Sequence, residues 1–331
     1  IRDYKVTGVQ TCALPIYFYS WRRREPSVDI TPLSAPRDGS GDGALDLQRA
    51  VTLDDIGFAR RLAAEVCDRI KYVADWKKFI YWDGRRWALD DGACAVRAAQ
   101  DLRDTLWFEY AALSHEEKTP PALQFIKSCG NANHIQNIVT LAKSQQPIRI
   151  LHEQLDRHPY LLNVRNGTID LRTGSLLRHE PANLITQLAA VDFDPRATSE
   201  EWLLFVNQCM KGDAELVRFL QVSAGLALSS DISPQVLWCH YGRGSNGKST
   251  FLTATSNMLG DYAVAAKAEF LMMKKGESHP TEVAMLYGKR LVTAIECEGG
   301  QRLRESFVKS LTDRKSTRLN SSHLVISYAV F

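Results

Sequence analysis

The chain has 331 residues, 45% of them apolar and 24% charged, with a formal net charge of +3. That length suits two or three domains, and the composition excludes collagen-like, coiled-coil and wholly disordered chains. No apolar run approaches the roughly 18–20 residues of a membrane span. Cys12, Cys67, Cys94, Cys129, Cys209, Cys239 and Cys297 never fall in C-x-x-C spacing and leave an odd one over. A disulfide framework or zinc finger is therefore not expected, and a reducing cytoplasm fits the pattern.

Residues 1–16 and 313–331 share no pattern with their neighbours. Both resemble translated sequencing-adaptor read-through and are expected to lie outside the fold. Without them Lys+Arg falls from 41 to 36 and Asp+Glu from 38 to 36, leaving a net charge of zero. The pI of 8.4 then gives no argument for nucleic-acid binding. No signal peptide is expected, since the first residues lack a charged-then-apolar order and begin without Met.

Residues 17–51 include the Pro-, Gly-, Ser- and Asp-rich run 26–45 and read as a linker behind a missing upstream domain. A helix is predicted from a capping-box-like start at Thr52 and Asp55, with Leu62, Val66 and Ile70 on one face. A β-hairpin follows, Phe79–Trp82 and Arg86–Leu89 around Asp83–Gly84. Its aromatics Trp76, Tyr81, Trp82 and Trp87 suit a stacking platform for single strands, but on a short sheet they read first as core. Helices are expected near 92–112 and 133–144. A second hairpin, 161–164 and 168–171, flanks Asn166–Gly167. Two further helices, near 200–210 and 213–228, lead to an apolar strand, Val236–Tyr241.

After that strand stands Gly242–Arg243–Gly244–Ser245–Asn246–Gly247–Lys248–Ser249–Thr250, a complete G-x-x-x-x-G-K-[ST] phosphate loop. A helix over 249–259 follows, ending at Gly260. Glycines let backbone N–H groups close around phosphate oxygens, and the helix N-terminus adds partial positive charge. Lys248 is placed to reach the β- and γ-phosphates of ATP, and Ser249 to ligate Mg²⁺. Gly242, Gly244, Ser245, Asn246, Gly247 and Thr250 complete the binding set. Such a site also needs a carboxylate at the tip of another strand. Arg290–Ile295 is a strand-like run that ends in Glu296, with Glu298 two residues on. One of the two would hold the metal, and the other would take the proton of the attacking water; the sequence leaves open which does which. Lys274 and Lys275 read as a solvated face, and the eight His show no ligand spacing.

Taken together, these motifs resemble the superfamily 3 helicases of phages and plasmids, the primase–helicase type related to poxvirus primase–helicases. The likeness rests on Asn246 before Gly247–Lys248–Ser249 and on Leu291–Val292 leading to Glu296. It extends over Arg302, Arg304, Glu305, Phe307, Val308, Lys309, Leu311 and Thr312. Upstream it rests on Trp76, on 81–87, on Asn163, Asn166, Gly167, Asp170 and Leu171, and on Thr173–Gly174. It spans about residues 52–312. The fold it implies is α/β: a mostly helical associated domain with two β-hairpins over 52–212, then a truncated helicase ATPase core over 213–312. The function it implies is ATP-dependent DNA unwinding in the replication of a phage, prophage or plasmid, by a homo-oligomeric, hexameric ring in a bacterial cytoplasm. A sensor Asn and an arginine finger should follow Lys309 and are absent, which leaves the strand ending at Glu296 without a partner on one side. Two other readings carry the same loop: a small-substrate kinase and a non-hydrolysing nucleotide-gated module. The kinase requires an Arg-rich lid, for which Gln301–Arg304 is a poor match.

Overall fold

The structure is a computed structural model describing residues 53–90, 94–231, 233–234, 236–242, 246–267, 286–295 and 323–329, with Lys267, Ile295 and 323–329 as backbone alone. It is mixed α/β, and the chain divides into two compact units. One comprises the described residues to Asp83 together with Trp87–Gln154; the other comprises Gly84–Arg86 and the residues from Leu155 on. The second unit starts as early as Leu155 because Leu162, Val164 and Ile169 share a core with Phe251, Leu252 and Leu291.

In the first unit, α1 (Asp55–Val66) is capped by Asp54, whose carboxylate accepts from the Gly57 N–H at 2.8 Å. Thr52, the expected cap, lies outside the described residues. Asp54 replaces it at N-cap because its oxygen reaches the first-turn donors. Strands β1 (Ile70–Val73), β2 (Lys78–Trp82), β3 (Trp87–Leu89) and β4 (Arg149–Ile150) form a sheet in the order β3-β2-β1-β4. The β2–β3 hairpin matches the one read from the sequence. β1 and β4 were not foreseen, and neither was α3 (Pro120–Ser128), which sits between α2 (Cys94–Ala112) and α4 (Ala132–Ala142). This unit is mostly helical, with its four helices accompanied by one four-stranded sheet. Its core joins Phe58, Leu62, Val66 and Ile70 to Leu102, Leu106, Ile126, Ile138 and Ile148. Trp87 is 2% exposed, and Tyr81 packs on the core; these two aromatics are structural.

The second unit opens with β5 (Leu161–Val164), β6 (Gly167–Asp170) and β7 (Ser175–Leu177), an antiparallel sheet whose third strand was not anticipated. Val164 pairs with Gly167, so the two-residue turn is Arg165–Asn166, one position earlier than expected. Asn166 is in the turn because its amide clamps a neighbouring segment: its Nδ2 donates to the Phe193 carbonyl, and its Oδ1 accepts the Phe193 N–H, both at 2.9 Å. Gly167 is required by close approach, since a Cβ there would stand 2.4 Å from the Leu177 carbonyl oxygen and 2.7 Å from Leu176 Cδ1.

After α5 (Glu200–Cys209) and α6 (Ala214–Leu226) comes a second sheet, wholly parallel, in the order β8-β11-β10-β9. Its strands are β8 (Leu237–Gly242), β9 (Ala263–Lys267), β10 (Leu291–Ile295) and β11 (His323–Ala329), and α7 (Lys248–Leu259) follows β8. Two expectations are corrected. The segment 313–331 was read as foreign to the fold, yet 323–329 forms the strand between β8 and β10. For the same reason β10 has partners on both sides. The physical basis is the composition of His323–Ala329, in which Val, Ile and Tyr favour extended backbone, so it can complete a parallel ladder whatever its origin.

Replacing Gly167 by Ala should destabilise the second unit by about 2 kcal/mol, the scale of an overpacked site. The check is urea unfolding, with the midpoint lowered and the m value unchanged; an unaltered midpoint would mean that β7 yields freely.

Candidate nucleotide-binding site

The phosphate loop joins the end of β8 to the start of α7, as its sequence requires. Arg243, Gly244 and Ser245 lie outside the described residues, and its two ends define the site. Gly247 is the α7 N-cap residue with φ 82°, in the left-handed region that glycine adopts without strain. Its carbonyl accepts the Phe251 N–H at 2.9 Å, the first bond of the helix. The first-turn N–H groups at Lys248, Ser249 and Thr250 have no helical acceptor, so they form a donor set suited to an anion.

Asn246 and Lys248 are held together. The Lys248 ammonium donates to the Gly242 carbonyl at 2.9 Å and to Asn246 Oδ1 at 2.7 Å. Gly242 makes this possible, because a Cβ there would lie 2.3 Å from Asn246 Nδ2. Asn246 thus crosses the loop over a bare glycine and keeps the cation at its mouth. On the other side, a Cβ on Gly247 would meet Cys209 Sγ at 2.3 Å and Phe205 Cζ at 3.0 Å. These two residues of α5 form the wall behind the loop and were not singled out from the sequence. Trp202, Phe205, Val206 and Cys209 do recur at helical spacing, but that period shows only that α5 has an apolar face. Trp202 stacks on Phe251 of α7 with ring centroids 5.6 Å apart, and His240 of β8 lies 5.8 Å from the same ring.

Ser249 and Thr250 are exposed in the first turn of α7. The Gly242 and Gly247 approaches make a cradle that side chains would fill, and its donors and the Lys248 cation fit a chain of phosphates. No group of three or more His, Cys, Asp or Glu able to hold a metal occurs among the described residues; Ser249 is the described candidate for Mg²⁺. Glu296 and Glu298, the expected carboxylates, lie outside the described residues. Because the sheet is parallel, β8 and β10 end on the same edge, with Ile295, Ser327 and His240 in one row across it. Two strand spacings separate β8 from β10, about 10 Å. Lys274, Lys275 and 302–312 are also outside the described residues, and the five described cysteines are all free thiols. No described helix is long and apolar enough to cross a membrane.

His240 is held below its ordinary pKa of 6.5, first by burial and then by the Lys248 charge. With the folded-state value depressed, the unfolded chain binds the proton more readily. Stability should therefore fall as pH drops below 6.5 toward the folded-state value. Urea midpoints at pH 7.5 and 5.5 check this: the acid-induced loss should be smaller in His240→Gln than in the parent chain.

Among known proteins, residues 59–211, a little under half of the chain, match the family model described as D5 N terminal like. The matched segment runs through both compact units and stops just short of α6. No curated protein matches the chain.

Proposed function

We propose that the chain is part of a primase–helicase-like replication protein that hydrolyses ATP with Mg²⁺ and uses the energy to move along DNA. The observation that carries the reading is the strand–loop–helix geometry, with the Lys248 ammonium fixed over the loop by Gly242 and Asn246. The family match over 59–211 supports the replication setting, since that model describes a domain of phage and viral primase–helicase proteins. The phage or plasmid origin, the hexameric ring and the cytoplasmic setting are parts of the same proposal.

In this reading the N–H groups of Lys248, Ser249 and Thr250 bind phosphate oxygens, and the ammonium of Lys248 turns from its loop oxygens toward the β- and γ-phosphates. Ser249 supplies one oxygen to the metal. Mg²⁺, when bound, supplies neutralisation of charge on the phosphate oxygens. In sequence Glu296 and Glu298 follow β10, whose last described residue, Ile295, lies on the sheet edge where β8 ends. One of them orients the metal and the other takes the proton from the attacking water. The parallel order supports a ligand site at this edge, because ligands in such sheets bind beyond the carboxyl ends of the strands.

Lys248→Ala should abolish ATP hydrolysis and weaken nucleotide binding, measured by phosphate release with and without single-stranded DNA. Retained hydrolysis would remove the loop from the mechanism. Binding without turnover in the parent chain, with or without DNA, would favour a nucleotide-gated module instead.

Glu296→Gln and Glu298→Gln should each spare nucleotide binding and lower turnover by at least ~100-fold, the scale of a positioned proton-transfer group. A loss in only one variant would assign the catalytic carboxylate to that residue. No loss in either would exclude the β10 end as the acidic half of the site.

A further inference from the structure

The first unit carries an aromatic and basic cluster that the nucleotide site does not use. On β1 and β2, Tyr72 and Phe79 are register partners and so share a face of the sheet. Their rings lie 5.0 Å apart and both are half-buried, Phe79 packing on the core as Tyr81 does. Lys143, directly after α4, places its ammonium 5.8 Å from the Tyr72 ring centre and 5.9 Å from that of Phe79. Arg149 of β4 is exposed and stands opposite Tyr72 in the β1–β4 register.

Neither Lys143 nor Arg149 forms an ion pair among the described residues, and the Tyr72 hydroxyl has no hydrogen-bond partner there. Of the nearest carboxylates in the chain, Asp75 is engaged by the backbone N–H and ring of His152, at 3.0 and 2.8 Å; Glu153 is exposed in the turn after β4. Among the described residues, two cations therefore flank an aromatic pair with no paired carboxylate. Lys77 and Lys78 add positive charge at the β1–β2 turn, where both are exposed.

We infer that this face binds single-stranded nucleic acid, with a base stacked on the Tyr72–Phe79 edge and Lys143 and Arg149 contacting the adjacent phosphates. The chemistry selects that partner. An acidic peptide would satisfy the cations but not the ring faces, and an apolar partner would leave both charges buried without counter-ions. In a duplex the bases are stacked on one another, so the rings favour unpaired strands. The site lies on side chains distant in sequence from the phosphate loop and requires no nucleotide.

The test is fluorescence anisotropy of the full chain with a labelled 20-mer of thymidylate, without ATP, at several salt concentrations. Lys143→Glu/Arg149→Glu should weaken binding by at least ~10-fold and flatten the salt dependence by about 1.4 in log–log slope, two phosphate contacts at ~0.7 each. Arg149→Glu alone alters an exposed side chain and should give about half of that slope change. Tyr72→Leu, which keeps an apolar side chain on the sheet, should weaken the thymidylate oligomer by ~5-fold or more and leave an abasic oligomer unaffected. Lys248→Ala should bind as the parent does, which separates this inference from the fate of the nucleotide site. Unchanged affinity in Arg149→Glu and in the double variant would overturn the proposal. So would an equal loss for the abasic oligomer in Tyr72→Leu, or displacement of the parent by an acidic peptide as readily as by thymidylate.

Discussion

The second unit depends on one buried cation. Arg290, 4% exposed, stands immediately before β10 and donates to the carbonyls of Leu228 and Leu161, while its guanidinium lies 4.5 Å from the centre of the Tyr262 ring. Leu228 follows α6, Leu161 begins β5 and Tyr262 follows α7, so a single side chain ties together three parts of the chain that are remote in sequence. Burying a guanidinium is costly, and burial pulls its pKa below the usual value. What offsets the cost is full use of the group: two carbonyl acceptors, an aromatic face and the nearby Asp156 carboxylate. A bond to a charged donor is worth roughly 1.5–3 kcal/mol, more than a neutral one.

Tyr262 carries the connection onward. Its hydroxyl accepts the Asn163 N–H at 3.0 Å, and burial pushes the phenol up to about 12. The Asn163 side chain, 1% exposed, donates to Gln187 O at 3.3 Å, while its oxygen accepts from Thr168 at 2.9 Å and meets His179 at 2.8 Å. Asp261, next to Tyr262, pairs with Arg86 and accepts the Leu188 N–H at 3.1 Å. The motif Asn163–Asn166–Gly167–Asp170 is thus structural at each position. Asp170 closes its own turn by accepting from Arg172, Thr173 and Gly174. Asn163 ties the antiparallel sheet to Tyr262, while Gly167 and Asp170 shape its turns and Asn166 holds Phe193.

The phosphate loop inherits its shape from that framework. Phe205 and Cys209 leave no room for a side chain at Gly247, and α5 stands there because Val206 enters the core with Leu220, Trp238 and Phe251. The loop's chemistry is local, whereas its geometry is borrowed from helices that precede it by some forty residues.

How much the sequence disclosed follows from this difference. The loop, the β2–β3 hairpin and helices α2, α4, α5, α6 and α7 were legible because glycine spacing, turn residues and apolar periodicity act within a few residues. Short strands such as β1, β4, β7 and β9 were not, since two to five residues carry too little pattern to outweigh loop. The sequence by itself determined that a G-x-x-x-x-G-K-[ST] loop, with Gly242, Gly247, Lys248 and Ser249, joins a strand to a helix. Only the tertiary structure decided that Asn246 locks Lys248 across Gly242, that Cys209 backs Gly247, and that His323–Ala329 separates β8 from β10. The last two depend on groups distant in the chain meeting at close range, and the first on the path the loop takes; no local period encodes either.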